Sequence, residues 1–252
     1  MESVQKLTHI EHILKRPDSY VGPVDLNVEP YWVLNSNKSQ FEKKNLKYSP
    51  ALLKIFDEIL VNAIDRNSMH PKNVTSISVD IDKESGAVTI ENNGPLGGIG
   101  VRMHEKEGLW NPELTFGHLL TSTNYDDSQK RIVGGRNGYG AKLTNIYSSD
   151  FSIVIKDHEN KQTYTQKWSK NMTVCEPPKI KKHSGATSSV SVTFVPDWRR
   201  FGLSKMENAI YKIFQKRVWD ANICTTPNCK VKFNGDVLPK QNLDTYAKMH
   251  EG

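Results

Sequence analysis

Two side chains able to do chemistry stand one helical turn apart in the segment KIFDEILVNA. Glu58, Asn62 and Asp65 follow i, i+4, i+7 spacing, so they share one face of a predicted helix. A carboxylate and an amide stacked in this way can hold a water molecule and a metal ion side by side. Similar pairs are common on solvated helix surfaces, and this pattern taken alone favours that second interpretation.

A second candidate is the glycine-rich segment GGRNGYGAK, residues 134–142. It is not a P-loop, because glycine and lysine are not adjacent and no Ser or Thr follows the lysine, and it lacks the G-x-G-x-x-G fingerprint. Bare backbone leading into a helix that starts near Tyr139 would form an anion site, to which Arg136 and Lys142 add positive charge. On this stretch alone, a phosphate cradle and a mobile loop are equal alternatives.

Two further clusters carry amides and hydroxyls. In IENNGPLGG, Asn92 and Asn93 end a predicted strand, where side-chain amides can read the edge of a base. A plain turn is the alternative. In TSTNYDD, Ser122, Thr123 and Asn124 suit ribose or phosphate oxygens, and helix capping is an equally good interpretation.

Composition limits the class of protein. The 252 residues are 37% hydrophobic and 25% charged, which is typical of a globular domain, and the net charge of +6 permits an acidic partner. No apolar run approaches the roughly 20 residues of a membrane helix, and the polar N-terminus does not resemble a signal peptide. Three cysteines favour a reducing, intracellular setting, and Cys224 and Cys229 are interpreted as free thiols rather than zinc ligands.

The order of elements predicts the fold class. A helix begins at the N-cap Ser49 with Pro50 in its first turn, and its apolar face contains Leu52, Phe56, Ile59, Leu60 and Ala63. Another helix is predicted near Tyr139 and a third over about 204–221, while strand-like runs concentrate late in the chain. This distribution predicts an α+β fold with a mostly antiparallel mixed sheet and helices on one face.

Taken in order, these motifs resemble the N-terminal ATPase domain of eukaryotic-type (including viral) type IIA DNA topoisomerases, members of the GHKL ATPases. KIFDEILVNA, LLTSTNYDD and GGRNGYGAKLTNI are specific to the topoisomerase branch, and the resemblance extends from EHILKRPDSYVG to FNGDVLP. It implies a GHKL (Bergerat) two-layer sandwich, an ATP-hydrolysing enzyme, and ATP and Mg²⁺ as cofactors.

The resemblance also implies a role for each motif. Glu58 corresponds to the general base that activates water, Asn62 to the magnesium ligand, and Asn92 to the adenine contact. Ser122, Thr123 and Asn124 correspond to ribose and phosphate contacts. The phosphate-wrapping loop corresponds to Gly135, Arg136, Asn137, Gly138, Tyr139, Gly140, Ala141 and Lys142.

The sequence departs from the family pattern at two positions. Leu96 stands where relatives usually have a glycine, and Gly97 comes one residue later, so the loop behind the adenine is expected to take a different path. Arg66 replaces a residue that is often Asn or acidic. It either alters the phosphate end of the site or points to solvent.

The domain organisation is predicted as an N-terminal arm (1–10) and a GHKL domain (11–252) taken from a larger enzyme. In the family, a lysine of the following transducer domain also contacts the γ-phosphate, so slow turnover and weak dimerisation are expected without it. The whole enzyme would pass one DNA duplex through a break in another, with ATP closing a dimeric gate. It would act in the nucleus if it is cellular, and otherwise as a virus-encoded protein in the host cell or virion.

Two other functions are considered: a GHKL ATPase that does not act on DNA, such as a chaperone, and a non-enzymatic nucleic-acid-binding module. The motifs TSTNYDD and GGRNGYGAK argue against the first, because they are specific to the topoisomerase branch. The second leaves the Glu58–Asn62 pair and the glycine segment without a purpose. A basic cluster at Lys179, Lys181, Lys182 and His183 is interpreted as a solvated hairpin in preference to a DNA contact.

Overall fold

The computed structural model describes residues 6–37, 39–119 and 139–250 of the chain. The helices are α1 (His9–Lys15), α2 (Pro50–Met69), α3 (Asn111–Gly117), α4 (Gly140–Ile146), α5 (Asn208–Cys224) and α6 (Leu243–Lys248). The strands are β1 (Asn27–Leu34), β2 (Phe41–Tyr48), β3 (Ser76–Ile81), β4 (Val88–Asn93), β5 (Ser148–Asp157), β6 (Gln162–Ser169), β7 (Val174–Cys175), β8 (Lys179–Lys182), β9 (Ser189–Pro196), β10 (Lys230–Phe233) and β11 (Asp236–Val237).

A nine-stranded sheet forms one layer of the described chain. Its order is β11-β10-β3-β4-β9-β5-β6-β7, with β8 also paired to β6. Neighbouring strands are antiparallel except β10 and β3, which are parallel. Buried and more accessible residues alternate along β3, β5 and β9, because successive side chains point to opposite faces of a strand. The predicted α+β class and mixed, mostly antiparallel sheet are confirmed.

The helices pack on one face of this sheet. The predicted apolar face of α2 is buried, and Phe56 stacks on Phe214 of α5 with ring centroids 4.0 Å apart and planes 7° apart. Burying a large apolar side chain contributes about 1.5–3 kcal/mol, so this contact is a strong constraint on how α2 and α5 lie against each other. The helix predicted over about 204–221 starts at Asn208 instead, with Glu207 at its N-cap.

A two-stranded antiparallel sheet, β1 and β2, packs beside α5 and was not predicted. Pro30 lies inside β1, opposite Asn45, and proline is tolerated there because both strands of a two-stranded sheet are edges. The loop-proximal Phe41 contacts Trp219 of α5 and Tyr246 of α6, with centroids 6.0 Å and 5.6 Å away. The hairpin therefore ties α6 to α5.

The N-terminal helix α1 crosses the predicted arm boundary between residues 10 and 11. Thr8 caps it with a capping box, in which Glu11 accepts from the Thr8 backbone N–H at 2.7 Å. The division into arm and domain stays a prediction. Among the described residues, no helix is long and apolar enough to cross a membrane.

Candidate functional site

Helix α2 is fixed at its start and along its buried face, which orients the opposite face. The Ser49 hydroxyl accepts from the Leu52 N–H at 3.3 Å, with Pro50 in the first turn, as predicted. With Phe56 and Ile59 in the core, Glu58 lies partly exposed and Asn62 is exposed one turn further along.

The Glu58 carboxylate lies directly against the first residue of α4. A Cβ atom at Gly140 would overlap Oε2 of Glu58, so no larger residue fits there without displacing the carboxylate. Lys54, one turn earlier on α2, forms an ion pair with Glu58. The structure thus brings the predicted base to the end of the glycine-rich segment.

A second contact holds α4 on α2. The Thr144 hydroxyl donates to the Ile55 carbonyl at 2.8 Å, and both groups are buried. Because a buried hydroxyl costs free energy unless it is hydrogen-bonded, this bond fixes α4 in register with α2. The backbone around Gly140 is therefore positioned by the same helix that carries Glu58.

Helix α4 begins where the sequence predicted, with Tyr139 at its N-cap and without a side-chain cap. Lys142, in its first turn, is only 1% exposed. Burial disfavours the charged form and lowers the pKa of Lys142 to about 8. A lysine with this pKa gains its charge more readily once an anion is beside it.

The far end of α4 contacts α3. Asn145 is fully buried and its amide donates to the Phe116 carbonyl at 3.0 Å. Its Oδ1 has no hydrogen-bond partner among the described residues. Sequence reasoning did not single out Asn145, because an Asn within a helix carries no signal of burial.

Aromatic rings from the N-terminal region meet Tyr139. The Tyr139 ring lies 6.0 Å from His9 in an edge-to-face arrangement and 6.2 Å from Tyr20. His12 donates to or accepts from the Tyr20 hydroxyl at 3.0 Å. The N-terminal segment thus supports the entry to α4, and no local pattern predicted this contact.

The two amides at the end of β4 have different roles. Asn93 accepts the N–H groups of Thr75 and Ser76, each at 2.9 Å, and so joins β4 to the start of β3. Asn92 is 8% exposed and donates to the Asn93 carbonyl at 3.1 Å. The side chain of Asn93 therefore joins β3 and β4, whereas the side chain of Asn92, the residue assigned to adenine, does not.

A tight turn follows these amides. Gly94 has φ +109°, and a Cβ atom there would lie 2.6 Å from Val74 Cγ2, so the position requires glycine. Arg66 of α2 donates to the Pro95 carbonyl at 2.7 Å, and its burial lowers the pKa of the guanidinium. Arg66 does not simply point to solvent, since it fastens the loop in which Leu96 replaces the usual glycine.

The carboxylate of Asp157 holds the continuation of this loop. It accepts from the Val101 N–H at 2.7 Å and from the Asn160 amide at 2.7 Å. Burial opposes ionisation, but these hydrogen bonds outweigh it and leave the pKa of Asp157 lowered. The loop after β4 is therefore anchored at both ends, by Arg66 and by Asp157.

Next to Glu58, Asp57 begins a charged network that the sequence did not reveal. Arg217 of α5 donates to both Asp57 oxygens, at 2.9 and 3.2 Å, and to Asp220 at 2.8 Å. Burial opposes the charge of Arg217, yet the bonds to Asp57 outweigh it and raise the pKa of Arg217. Tyr246 of α6 contacts Asp220, so the network runs from α2 to α6.

Several predicted site residues lie outside the described part of the chain: Ser122, Thr123, Asn124, Gly135, Arg136, Asn137 and Gly138. Of the glycine-rich segment, Tyr139, Gly140, Ala141 and Lys142 are described. Their assigned contacts stay predictions, as do those of Asn62 and Asn92. Among the described residues, no cluster of three His, Cys, Asp or Glu side chains could hold a metal ion.

Comparison with known proteins gives one consistent result. The chain is 45% identical over 249 residues to DNA topoisomerase 2 of Penicillium chrysogenum, which is 99% of this chain and 15% of that protein. It is 41% identical to DNA topoisomerase 2 of Saccharomyces cerevisiae, again over 99% of this chain and 17% of that protein. The chain therefore spans about one sixth of the length of these relatives. No protein-family model matches the chain.

Solved structures agree with the sequence relationship. The crystal structure of the ATPase region of Saccharomyces cerevisiae topoisomerase II superposes with a TM-score of 0.93 at 42% identity, covering 98% of this chain and 64% of that one. The ATPase and transducer domains of DNA topoisomerase II from Balamuthia mandrillaris give a TM-score of 0.91 at 40% identity, covering 98% of this chain and 63% of that one. Both fold and sequence thus point to the same proteins.

Proposed function

The chain belongs to the family of eukaryotic DNA topoisomerase 2 ATPase regions, and we propose from this premise that it binds ATP and hydrolyses the bond to the γ-phosphate. The observation that carries the proposal is the contact between Glu58 and the backbone of Gly140. It sets a carboxylate from α2 against the end of the segment assigned to the phosphates. A general base must lie within hydrogen-bond reach of the water that it activates. A γ-phosphate held at the start of α4 would place the attacking water beside Glu58 and so meet that requirement.

Each residue has a defined task in this proposal. Glu58 takes a proton from the attacking water while Lys142 and the backbone of 135–142 neutralise phosphate charge. Asn92 contacts the adenine, and Ser122, Thr123 and Asn124 contact ribose and phosphate. Phosphoryl transfer depends mainly on positioning and charge stabilisation, so anchoring α4 to α2 through Thr144 is itself part of the catalytic arrangement.

Magnesium fits the residues at the site. The exposed amide of Asn62 offers an oxygen ligand one turn from Glu58, and Mg²⁺ prefers few protein oxygens with water and phosphate completing its shell. Asn62 would hold the ion, which when bound would neutralise charge on the phosphates. Asp65, next on the same face, is not assigned to the metal.

The activity of the whole protein is proposed from the relatives, which are named DNA topoisomerase 2. In a protein of that kind, ATP binding would bring two copies of this region together as a gate around one DNA duplex. That duplex would then pass through a transient break made elsewhere in the protein. For this chain alone we expect slow turnover and weak ATP-dependent dimerisation.

The proposal is tested by calorimetric titration of a non-hydrolysable ATP analogue, with and without magnesium. We expect magnesium-dependent binding by the wild-type chain and weaker binding by Asn62→Ala. Asn45→Ala, an exposed Asn on β2, is the matched control and should bind like wild type. Absence of binding at millimolar analogue would overturn the proposal, and equal affinity of the two variants would remove Asn62 from the site.

A further inference from the structure

The nine-stranded sheet has a solvent-facing surface that the nucleotide site does not use. On β6, Tyr164 and Trp168 face the core, so the residues that alternate with them face the other way. Those residues are Thr163, Thr165 and Lys167. The same alternation places every second side chain of β5 and of β8 on this surface.

Strand register brings four lysines together here. Thr163 of β6 pairs with Lys156 of β5 on one side and with Lys181 of β8 on the other. Because adjacent strands lie about 4.8 Å apart, the Lys156 and Lys181 backbones are about 10 Å apart across Thr163. Lys179 lies beside Thr165 in the same way, and Lys167 extends the group along β6. All four lysines are exposed, and we call them the β8 basic face.

Acidic residues accompany the lysines of this face at one end only. Within the residues described by the structure, none of its four lysines forms an ion pair. Acidic residues flank the Lys167 end only: the Glu176 N–H donates to the Lys167 carbonyl at 2.9 Å, so Glu176 lies opposite Lys167. Asp150 lies at the same end of β5. Asp157, next to Lys156, is buried on the other face of β5, and Glu159 lies in the β5–β6 turn, outside the paired strands.

The other half of the same sheet surface is balanced. There Ser78 of β3 pairs with Glu91 of β4 on one side and with Lys232 of β10 on the other, and Asp80 adds a further negative charge. Both halves carry lysines at i, i+2 spacing on a strand, Lys179 and Lys181 on β8 and Lys230 and Lys232 on β10. Lysines alone therefore do not distinguish the two halves. They differ because Thr163 lies between two lysines, whereas Ser78 lies between a lysine and a glutamate.

We propose that the β8 basic face binds the sugar–phosphate backbone of duplex DNA. Duplex DNA carries one negative charge per about 1.7 Å of its axis, so a surface about 10 Å wide opposes several phosphates. The Thr163 and Thr165 hydroxyls between the lysines add neutral donors to phosphate oxygens. Flexible lysines on a sheet present no element to a groove, so the contact is independent of base sequence. This inference rests on the proposed function in that it names a place where the DNA handled by such a protein touches this region.

The test compares two charge-matched double variants of the chain. Fluorescence anisotropy follows binding of a labelled 30-base-pair duplex across a salt series for wild type, Lys179→Gln/Lys181→Gln and Lys230→Gln/Lys232→Gln. Each variant loses two positive charges from one face of the sheet. Because each phosphate contact contributes about 0.9 to the slope of log affinity against log salt, the β8 variant should lose about 1.8 from that slope. The β10 variant should keep the wild-type slope.

Three results would overturn the inference. They are no DNA binding by wild type at low salt, equal losses in the two variants, and tighter binding of a polyglutamate peptide than of DNA at the same salt. The last would assign the face to an acidic protein segment. Titration of the ATP analogue is repeated on both variants and should be unchanged. If the wild-type chain binds the ATP analogue but not DNA, this inference alone is rejected. If the wild-type chain does not bind the analogue, the proposed function is rejected.

Discussion

Gly140 and Glu58 are in direct contact, although 82 positions separate them in the sequence and they belong to different helices. The contact is possible because residue 140 has no side chain. It makes the position of the carboxylate dependent on the backbone at the start of α4.

Gly140→Ala should therefore displace the Glu58 carboxylate. A misplacement of about 1 Å can cost on the order of 100-fold in rate, and we expect a fall in ATP turnover of that size. Steady-state ATPase measurement checks it. Gly100→Ala is the control, since the nearest atom to a Cβ there, Asp157 Oδ2, is 3.4 Å away. Wild-type turnover in Gly140→Ala would contradict the arrangement.

Glu58→Gln removes the proposed base while keeping the size of the side chain. General-base catalysis contributes about 10²- to 10⁴-fold, so turnover should fall by that factor. Affinity for the ATP analogue should stay within a few-fold of wild type, since the carboxylate acts on water. Single-turnover hydrolysis together with calorimetry separates the two effects. Glu91→Gln, on the solvent face of β4, should leave both unchanged, and retained hydrolysis in Glu58→Gln would assign the base elsewhere.

Lys142 predicts a pH dependence. Its pKa is lowered by burial from 10.5 to about 8, so the nucleotide-free chain carries this charge below pH 8 and loses it above. A phosphate beside the ammonium favours the charged form. Affinity for the ATP analogue should thus be level below pH 8 and fall above it, by up to about tenfold per pH unit. Titrations from pH 7 to 9.5 measure this. Lys142→Met should bind weakly with a flat profile, and a flat wild-type profile would place Lys142 away from the phosphates.

The same lowered pKa fixes the sign of a stability effect in the nucleotide-free chain. Between pH 8 and the ordinary lysine pKa near 10.4, the unfolded chain holds this proton and the folded chain does not. The contribution of Lys142 to the free energy of unfolding therefore rises with pH in that window. Comparing urea denaturation of wild type and Lys142→Met at pH 7.5 and 9.5 isolates this contribution, and an opposite sign would contradict the burial argument.

Arg217→Met should destabilise the fold by about 2–3 kcal/mol, because it leaves the partly buried Asp57 without the cation that donates to both its oxygens, whereas Asp220 keeps its ion pair with Lys216. Arg217 is 28% exposed and Asp57 21%, which is why the expected loss is below that of a fully buried pair. Arg200→Met is the control. Its pair with Asp197 is more exposed, and such surface pairs contribute about 0–1 kcal/mol. Urea denaturation gives both values, and equal losses would contradict the prediction.

Local pattern was enough to predict some of this structure. Helical spacing placed Glu58 opposite the buried Phe56 face, and glycine-rich composition with a following helix located the start of α4. What could not be predicted depends on partners distant in sequence. The contacts of Tyr139 with His9 and Tyr20 are examples. The β1–β2 hairpin was missed because Pro30 weakens the strand signal of β1. The pairing with β2 that accommodates this proline is known only from the fold.

The parallel pairing of β10 with β3 has a consequence for how the chain reaches its native state. Lys230 pairs with Ser76, and between them lies most of the rest of the sheet. Contacts between residues so far apart form slowly, since the loop must close before the pairing stabilises anything. Phe214, which stacks on Phe56, is also made well after it during synthesis from the N-terminus. The helix that carries Glu58 therefore acquires its final packing only after α5 has been made, and a ribosome-bound intermediate that lacks α5 should have an unfinished nucleotide site.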